Sequence, residues 1–586
     1  VLTRRGQFPS ALPLYAKAAH IQESVLRATS SETRMKSALD QVRGSEDTLY
    51  GLLLEHPQDE QLKRLVLTTA LLRKGRAAEA GTVANRLLHQ SRSKPHTKQQ
   101  FETWQQVRQQ RESLLYGSSG PLSPLEQGER LRALSQQADD LESQLGAAMP
   151  EIRELQPPKF EEILAAVAKR LPQDGVLFEV VRAMPFDFQA KGTESQWKAP
   201  HYLALVMTGN QQIVVKDLGE ASVVDGLVQD LLHALRTPAS DPVPSAKALY
   251  EQVLKLVLPE SAKQVYLSVD GALSLIPFDA LHDGTDYLQG RKTFHYLTSG
   301  RDLLRTDSTE SKQAALVLAD PDFGSAAKES QSGGAETFYR KLAGLSRLSG
   351  AQEEAKQIGP MLRVTPLVGK GAKESVVRAT QAPWVLHIAS HGLFLGGGAL
   401  TRSGGRGGAL FGSPFSERKG VFAGNIVSEP MEVYGGSESL SRSALVLADA
   451  AQGEEAKSAA EDGLLTAEEA RSLDLFGTQL VVLSACDTGR GELSVGQGVY
   501  GLRRAFVVAG AETLVTSLWQ VSDAATGKLM EKYYQKLLKE KKGRLQGMQE
   551  AMKEMREKYK HPYYWAPFLV IGSDGPLRPP ASWSQR

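Results

Sequence analysis

Through residues 1–152 apolar positions recur at three- and four-residue spacing among Gln, Lys, Arg, Glu and Ala, with few β-branched runs. That period predicts helices. The run GSSGPLSP at 117–124 breaks the pattern before one more helix, Leu125 to Ala148, and Pro150 and Pro157–Pro158 then punctuate the chain. The texture changes beyond them. Short β-rich runs appear at Val176–Ala183, Tyr202–Met207, Gln212–Leu218 and Val265–Val269, with helical patterns at Val223–Arg236 and Ala246–Val257. After about residue 312 the alternation resumes: a strand at Ala314–Pro321, a helix at Glu353–Leu362, and the continuous apolar runs WVLHIAS (384–390), QLVVLSA (479–485) and TLVTSLW (513–519). Such runs suit central strands covered on both faces. Helices are expected at Val499–Ala509 and Ala524–Lys541, and the Lys-rich stretch Met530–Lys560 reads as a solvated helical face. Strands alternating with helices give an α/β layer structure. Residues 396–442 carry GGG, RSGGRGG and YGGSES and almost no period; a loop of that length is a candidate functional segment.

The opening stretch, with Ala11, Leu14, Tyr15 and Ala18 along one face, resembles half of a tetratricopeptide repeat, and Arg73–Gln90 is a weaker echo. A repeat unit cannot bury its face alone, so neighbours upstream are expected. A plain helical domain is the alternative. The chain begins at Val1 rather than Met, which leaves a signal peptide open.

Composition changes this picture little. Of 586 residues, 41% are hydrophobic and 23% charged, enough for several packed domains. A formal net charge of +2 gives no pull toward nucleic acid or a membrane surface. No run of 18 apolar residues predicts a spanning helix. The single cysteine, Cys486, excludes an internal disulfide framework and fits a reducing, cytoplasmic setting. No metal-ligand spacing is present, and neither metal nor cofactor is expected.

The candidate chemistry sits where two apolar runs end. WVLHIAS leads into His391–Gly392, and QLVVLSA leads into Cys486–Asp487–Thr488–Gly489. Ligands of open parallel sheets bind at the carboxyl ends of the strands. If the two strands are adjacent and parallel, imidazole and thiol share a rim. A thiol is only slightly ionised at neutral pH, and an imidazole that takes its proton makes the nucleophile. The N–H groups of Gly392 and Cys486 are candidate oxyanion donors. Each residue also has a plain reading: a strand-end cysteine is often a small buried hydrophobe. His387 lies inside its strand and reads as packing or support. GQGVYG (496–501) follows a loop rather than a strand, so it is not a dinucleotide fingerprint.

LHIASHG, LLTAEEA, VVLSACDTGRGEL, GVYGLRRAFVVAGAETLVTSLWQVSDAAT and YYWAPFLVIG together resemble the CHAT-domain cysteine peptidases of the caspase and separase clan. VDGALSLIPFDAL, YLTSGRDLL and LADPDFG match the same family upstream, in the same order, so the resemblance covers about 160–575. It implies a caspase-like α/β fold, a mostly parallel central sheet flanked by helices, behind an all-α tetratricopeptide-like domain. The implied division is 1–155 helical, 156–305 a degenerate lobe, and 306–586 the active lobe. It implies a His391–Cys486 dyad acting on a protein substrate. It also implies regulation by a partner protein through the helical domain, in a signalling or defence setting. The strand after the nucleophile strand walls the specificity pocket in this clan, so Ser517, Trp519 and Asp523 are candidate substrate-binding residues. A carboxylate at Asp523 would suit a basic residue before the scissile bond; equally, it would cap the helix that starts near Ala524. A catalytically silent scaffold is the competing reading of the whole chain.

Overall fold

The computed structural model describes residues 2–5, 7–27, 32–91, 95–116, 124–147, 158–190, 196–305, 309–324, 342, 344–394, 443–455, 462–485, 492–494, 498–519 and 523–580. Among the described residues six helices come first: α1 (Phe8–Arg27), α2 (Glu32–Glu55), α3 (Glu60–Arg73), α4 (Arg76–Ser91), α5 (Pro95–Tyr116) and α6 (Pro124–Ala147). The 3.6-residue period of the sequence is thus realised. Asp59 accepts from Leu62 N at 2.8 Å and caps α3. No described helix is long and apolar enough to cross a membrane.

The remainder is built on one eleven-stranded sheet in the order β3-β2-β1-β4-β5-β16-β15-β12-β8-β6-β7. Its strands are β1 (Gly175–Ala183), β2 (His201–Thr208), β3 (Ile213–Glu220), β4 (Gln264–Ser268), β5 (Thr293–Tyr296), β6 (Leu316–Pro321), β7 (Leu367–Gly369), β8 (Val385–Ala389), β12 (Leu480–Leu483), β15 (Thr513–Ser517) and β16 (Phe568–Gly572). Neighbours run parallel except at β1–β2, β2–β3 and β15–β16. This is the α/β layering expected, a mostly parallel central sheet flanked by helices. β9 (His391–Phe394), β10 (Ser443–Val446) and β11 (Leu464–Thr466) form a separate antiparallel sheet, and β13 (Glu492–Ser494) pairs with β14 (Gly498–Tyr500).

Alternation along the strands sorts side chains into separate cores. Phe178 and Val180 of β1 face a large cluster with α8 (Ala221–Arg236) and α9 (Val243–Val253). Farther along the sheet, Val385, Ala389 and Val482 meet α10 (Ser349–Leu362), α14 (Asp523–Leu538) and α15 (Arg544–Lys558) in that same cluster. Leu177 and Val181 point the other way, to α1, α2, α3 and α7 (Ile163–Ala168). Leu386, Ile388, Val481 and Leu483 pack on α11 (Glu374–Arg378), α12 (Ala467–Ala470) and α13 (Leu502–Val508). The helical region is bolted on by buried charge. Glu32 accepts from Arg504 at 2.7 Å and lies 3.1 Å from Arg471, Arg111 pairs with Glu468, and Asn85 donates to Leu473 O at 3.1 Å.

Two expectations are corrected. The Lys-rich stretch is two helices, α14 and α15, because the chain reverses between them: Lys541 takes φ +53°, and a Cβ on Gly543 would stand 2.5 Å from Asp574 O. The helix expected from Val499 begins at Leu502; residues 498–500 form β14 instead, and Gly501 (φ +128°) makes the turn.

Candidate active site

β8 and β12 are parallel neighbours, with Val482 opposite His387 and Leu483 opposite Ile388. Ser484 N donates to Ile388 O at 2.9 Å and extends the ladder past the formal strand end. β8 finishes at Ala389, and His391 follows two residues later, after Ser390. β12 runs through Ser484 to Ala485, and Cys486 is next in the sequence. Cys486 itself, the adjoining 487–491 and the Gly-rich 396–442 lie outside the described residues.

At Ser390 the chain leaves the main sheet: its hydroxyl donates to Val446 O, and β9 starts at His391. There His391 stands opposite Val446 and Gly392 opposite Leu445 of β10. The half-buried His391 ring lies 5.4 Å from Phe323, and its Nε2 is 3.0 Å from Ser346 O. A carbonyl only accepts, so Nε2 is the donor in this contact, and in the neutral ring Nδ1 is left with the basic lone pair. The Ser346 segment is itself pinned. Asp320, at the end of β6 with φ +45°, accepts from Arg347 Nε at 2.8 Å and Leu348 N at 2.7 Å. A short polar side chain tolerates that left-handed conformation better than most.

The candidate pocket residues follow β12's other neighbour, β15. Ser517 is buried, and its hydroxyl donates to Ala485 O, beside the nucleophile position in the chain. Trp519 is buried, with Nε1 donating to Tyr563 O at 3.2 Å. Asp523 opens α14, and its side chain is outside the described set. LLTAEEA is a structural motif: Thr466 and Glu469 form a capping box over α12.

One group near the site escaped the sequence reading. Glu354 of α10 is 2% exposed; its Oε1 lies 2.9 Å from His387 Nε2, and its Oε2 accepts from Ser484 Oγ at 3.1 Å. The His387 approach is a close polar contact rather than an aligned hydrogen bond. His387 Nδ1 is 3.1 Å from Tyr534 OH on α14. A signal was available: Glu354 falls on the same helical stripe as Ala351, Ala355, Ile358 and Leu362, all buried. A carboxylate on an apolar stripe needs partners.

Known proteins bear on this geometry. Human tetratricopeptide repeat protein 28 is 30% identical over 338 residues, 55% of this chain, and its mouse counterpart is 30% identical over 337. The chain spans only 12% of the length of each. Among solved structures, the Arg-specific cysteine proteinase gingipain R aligns over 60% of this chain and 74% of its own, at 11% identity and a TM-score of 0.31. The Saccharomyces cerevisiae separase–securin complex aligns over 95% of this chain and 47% of its own, at 8% identity and 0.33. Residue correspondences do not follow from scores that low. The family model described as CHAT domain matches residues 243–573, more than half of the chain and all of the strands that meet at the candidate site, so this protein belongs to the CHAT-domain family.

Proposed function

We propose that this chain is a cysteine endopeptidase that hydrolyses peptide bonds in a protein partner, with His391 and Cys486 as its dyad. One observation carries the reading: His391 and Cys486 follow, within three residues, the carboxyl ends of adjacent parallel strands. In this reading Nδ1 of His391 takes the thiol proton, the thiolate attacks the scissile carbonyl, and the N–H groups of Gly392 and Cys486 stabilise the oxyanion. The imidazolium returns the proton to the leaving amine; water then hydrolyses the thioester. Ser517, Trp519 and Asp523 are proposed to line the pocket for the residue before the scissile bond, with a basic side chain favoured if Asp523 is free to receive it. The proposed division is 1–155 helical and regulatory, 156–305 a supporting lobe, and 306–586 the catalytic lobe. The test is mass spectrometry of candidate partner proteins incubated with the unaltered chain, Cys486→Ala and His391→Ala. Cleavage products confined to the unaltered chain are expected, with a loss of about a thousandfold or more in rate for either variant. Identical products from all three would leave the scaffold reading in its place.

A further inference from the structure

The two strands that lead to His391 and Cys486 are tied from beneath by one carboxylate. Glu354 reaches β8 through His387 at 2.9 Å and the end of β12 through Ser484 at 3.1 Å. The same helix is preceded by Ser346, whose carbonyl holds His391 Nε2 at 3.0 Å. α10 therefore touches both branches of the candidate dyad. Among the described residues, Glu354 and Tyr534 are the titratable groups facing His387, from α10 and α14, and all three are buried. A buried polar network of this kind is costly unless its members are matched. Here it joins β8 to Ser484 beyond β12, the strands that the two proposed dyad residues follow in the sequence.

We propose that Glu354 is a positioning residue: by bridging His387 of β8 and Ser484 beyond β12, it sets the spacing at which His391 and Cys486 leave their strands. The inference rests on the peptidase reading above. The mechanism is geometric. If the bridge is cut, β12 keeps its ladder to β8 and the Ser517 hydroxyl on Ala485 O, but loses the side-chain tie from Ser484 to α10. A displacement of about 1 Å in such a pair reduces reactivity by as much as a hundredfold.

Cys486 is the sole cysteine, so iodoacetamide alkylation of the full chain reports on it alone. The rate is followed from pH 5 to 10 for the unaltered chain, His391→Ala, Ser484→Ala, Ser484→Thr and Glu354→Met. Circular dichroism melting checks that each variant is folded. The unaltered chain is expected to titrate below the free-thiol value of about 8.5, and His391→Ala at about that value. Ser484→Ala and Glu354→Met should move the midpoint part of the way and slow alkylation at pH 6.5 about tenfold; Ser484→Thr, which keeps the hydroxyl, should restore it. Ser484→Ala removes only a hydroxyl, so it decides the matter if Glu354→Met does not fold. A Ser484→Ala profile superimposed on the unaltered chain, with His391→Ala displaced, overturns this inference alone. If His391→Ala also superimposes, the peptidase reading falls and the inference with it.

Discussion

Lys74, just past the end of α3, holds the helical region to the sheet through a buried ion pair. Its Nζ lies 2.8 Å from each of Glu179 Oε1, Val180 O and Ser268 O, so all three ammonium donors are used. Glu179 also accepts from Ser268 Oγ at 2.6 Å and Gly300 N at 3.1 Å. The side chains are 3% and 0% exposed, which puts the pair in the regime where removing one partner strands a charge. Lys74→Met keeps the stem and deletes the ammonium. The expected loss is about 3–5 kcal/mol, against about 0–1 kcal/mol for an exposed pair. Lys74→Met combined with Glu179→Met should recover part of that loss, because the stranded carboxylate goes with its partner. Urea unfolding of the four corners of this cycle gives the coupling. Hydrogen exchange in α3 and β1 should accompany it, since a chain of 586 residues need not unfold in one step. A Lys74→Met loss below about 1 kcal/mol, or a double variant no better than the single one, would refute the reasoning.

Asp279 is buried with an unpartnered Oδ1, and burial pushes its carboxyl up to about 7. The folded chain then holds a proton that the unfolded chain, ionising near 3.8, releases, so stability falls as pH rises from about 4 through 7 and levels beyond. Asp279→Asn should raise the urea midpoint at pH 8 and leave it unchanged at pH 4; an equal gain at both would sink the assignment. Glu32→Gln removes the charge that faces Arg504 and Arg471. It should weaken docking of the helical region by about 1.5–3 kcal/mol, read as faster hydrogen exchange in α2 and α13; unaltered exchange would count against it. Arg544, 1% exposed, donates to Gln479 O at 2.6 Å, Gly575 O at 2.8 Å and Ser573 Oγ at 3.0 Å, and lies 3.1 Å from Glu512. Arg544→Leu should cost at least about 3 kcal/mol in denaturant unfolding, and a loss under 1 kcal/mol would reject that role for it.

Local pattern made much of this protein readable from its residues. The 3.6-residue period over the first 152 residues is a property of each helix alone, and so is the continuous apolar run that marks β8, β12 and β15 as central strands. His391 and Cys486 stood out for the same reason, since both directly follow such runs. The break between α14 and α15 was less legible, because a Lys-rich surface keeps its polarity through a turn, and only the left-handed Lys541 and the close approach at Gly543 reveal it.

What tertiary structure decided is which strand lies beside which. A strand's alternation says which face is buried, but its neighbour is chosen by a backbone ladder common to all residues. Thus β16, the last strand in the chain, inserts between β5 and β15 and joins the two halves into one sheet. The same is true of Glu354. Its place on an apolar stripe was written in the sequence, but the two groups it meets come from positions 387 and 484, brought within 3.1 Å only when α10 settles on the sheet. Sequence alone therefore determined the elements and the chemistry at their ends; the packing of distant elements determined what holds that chemistry in register.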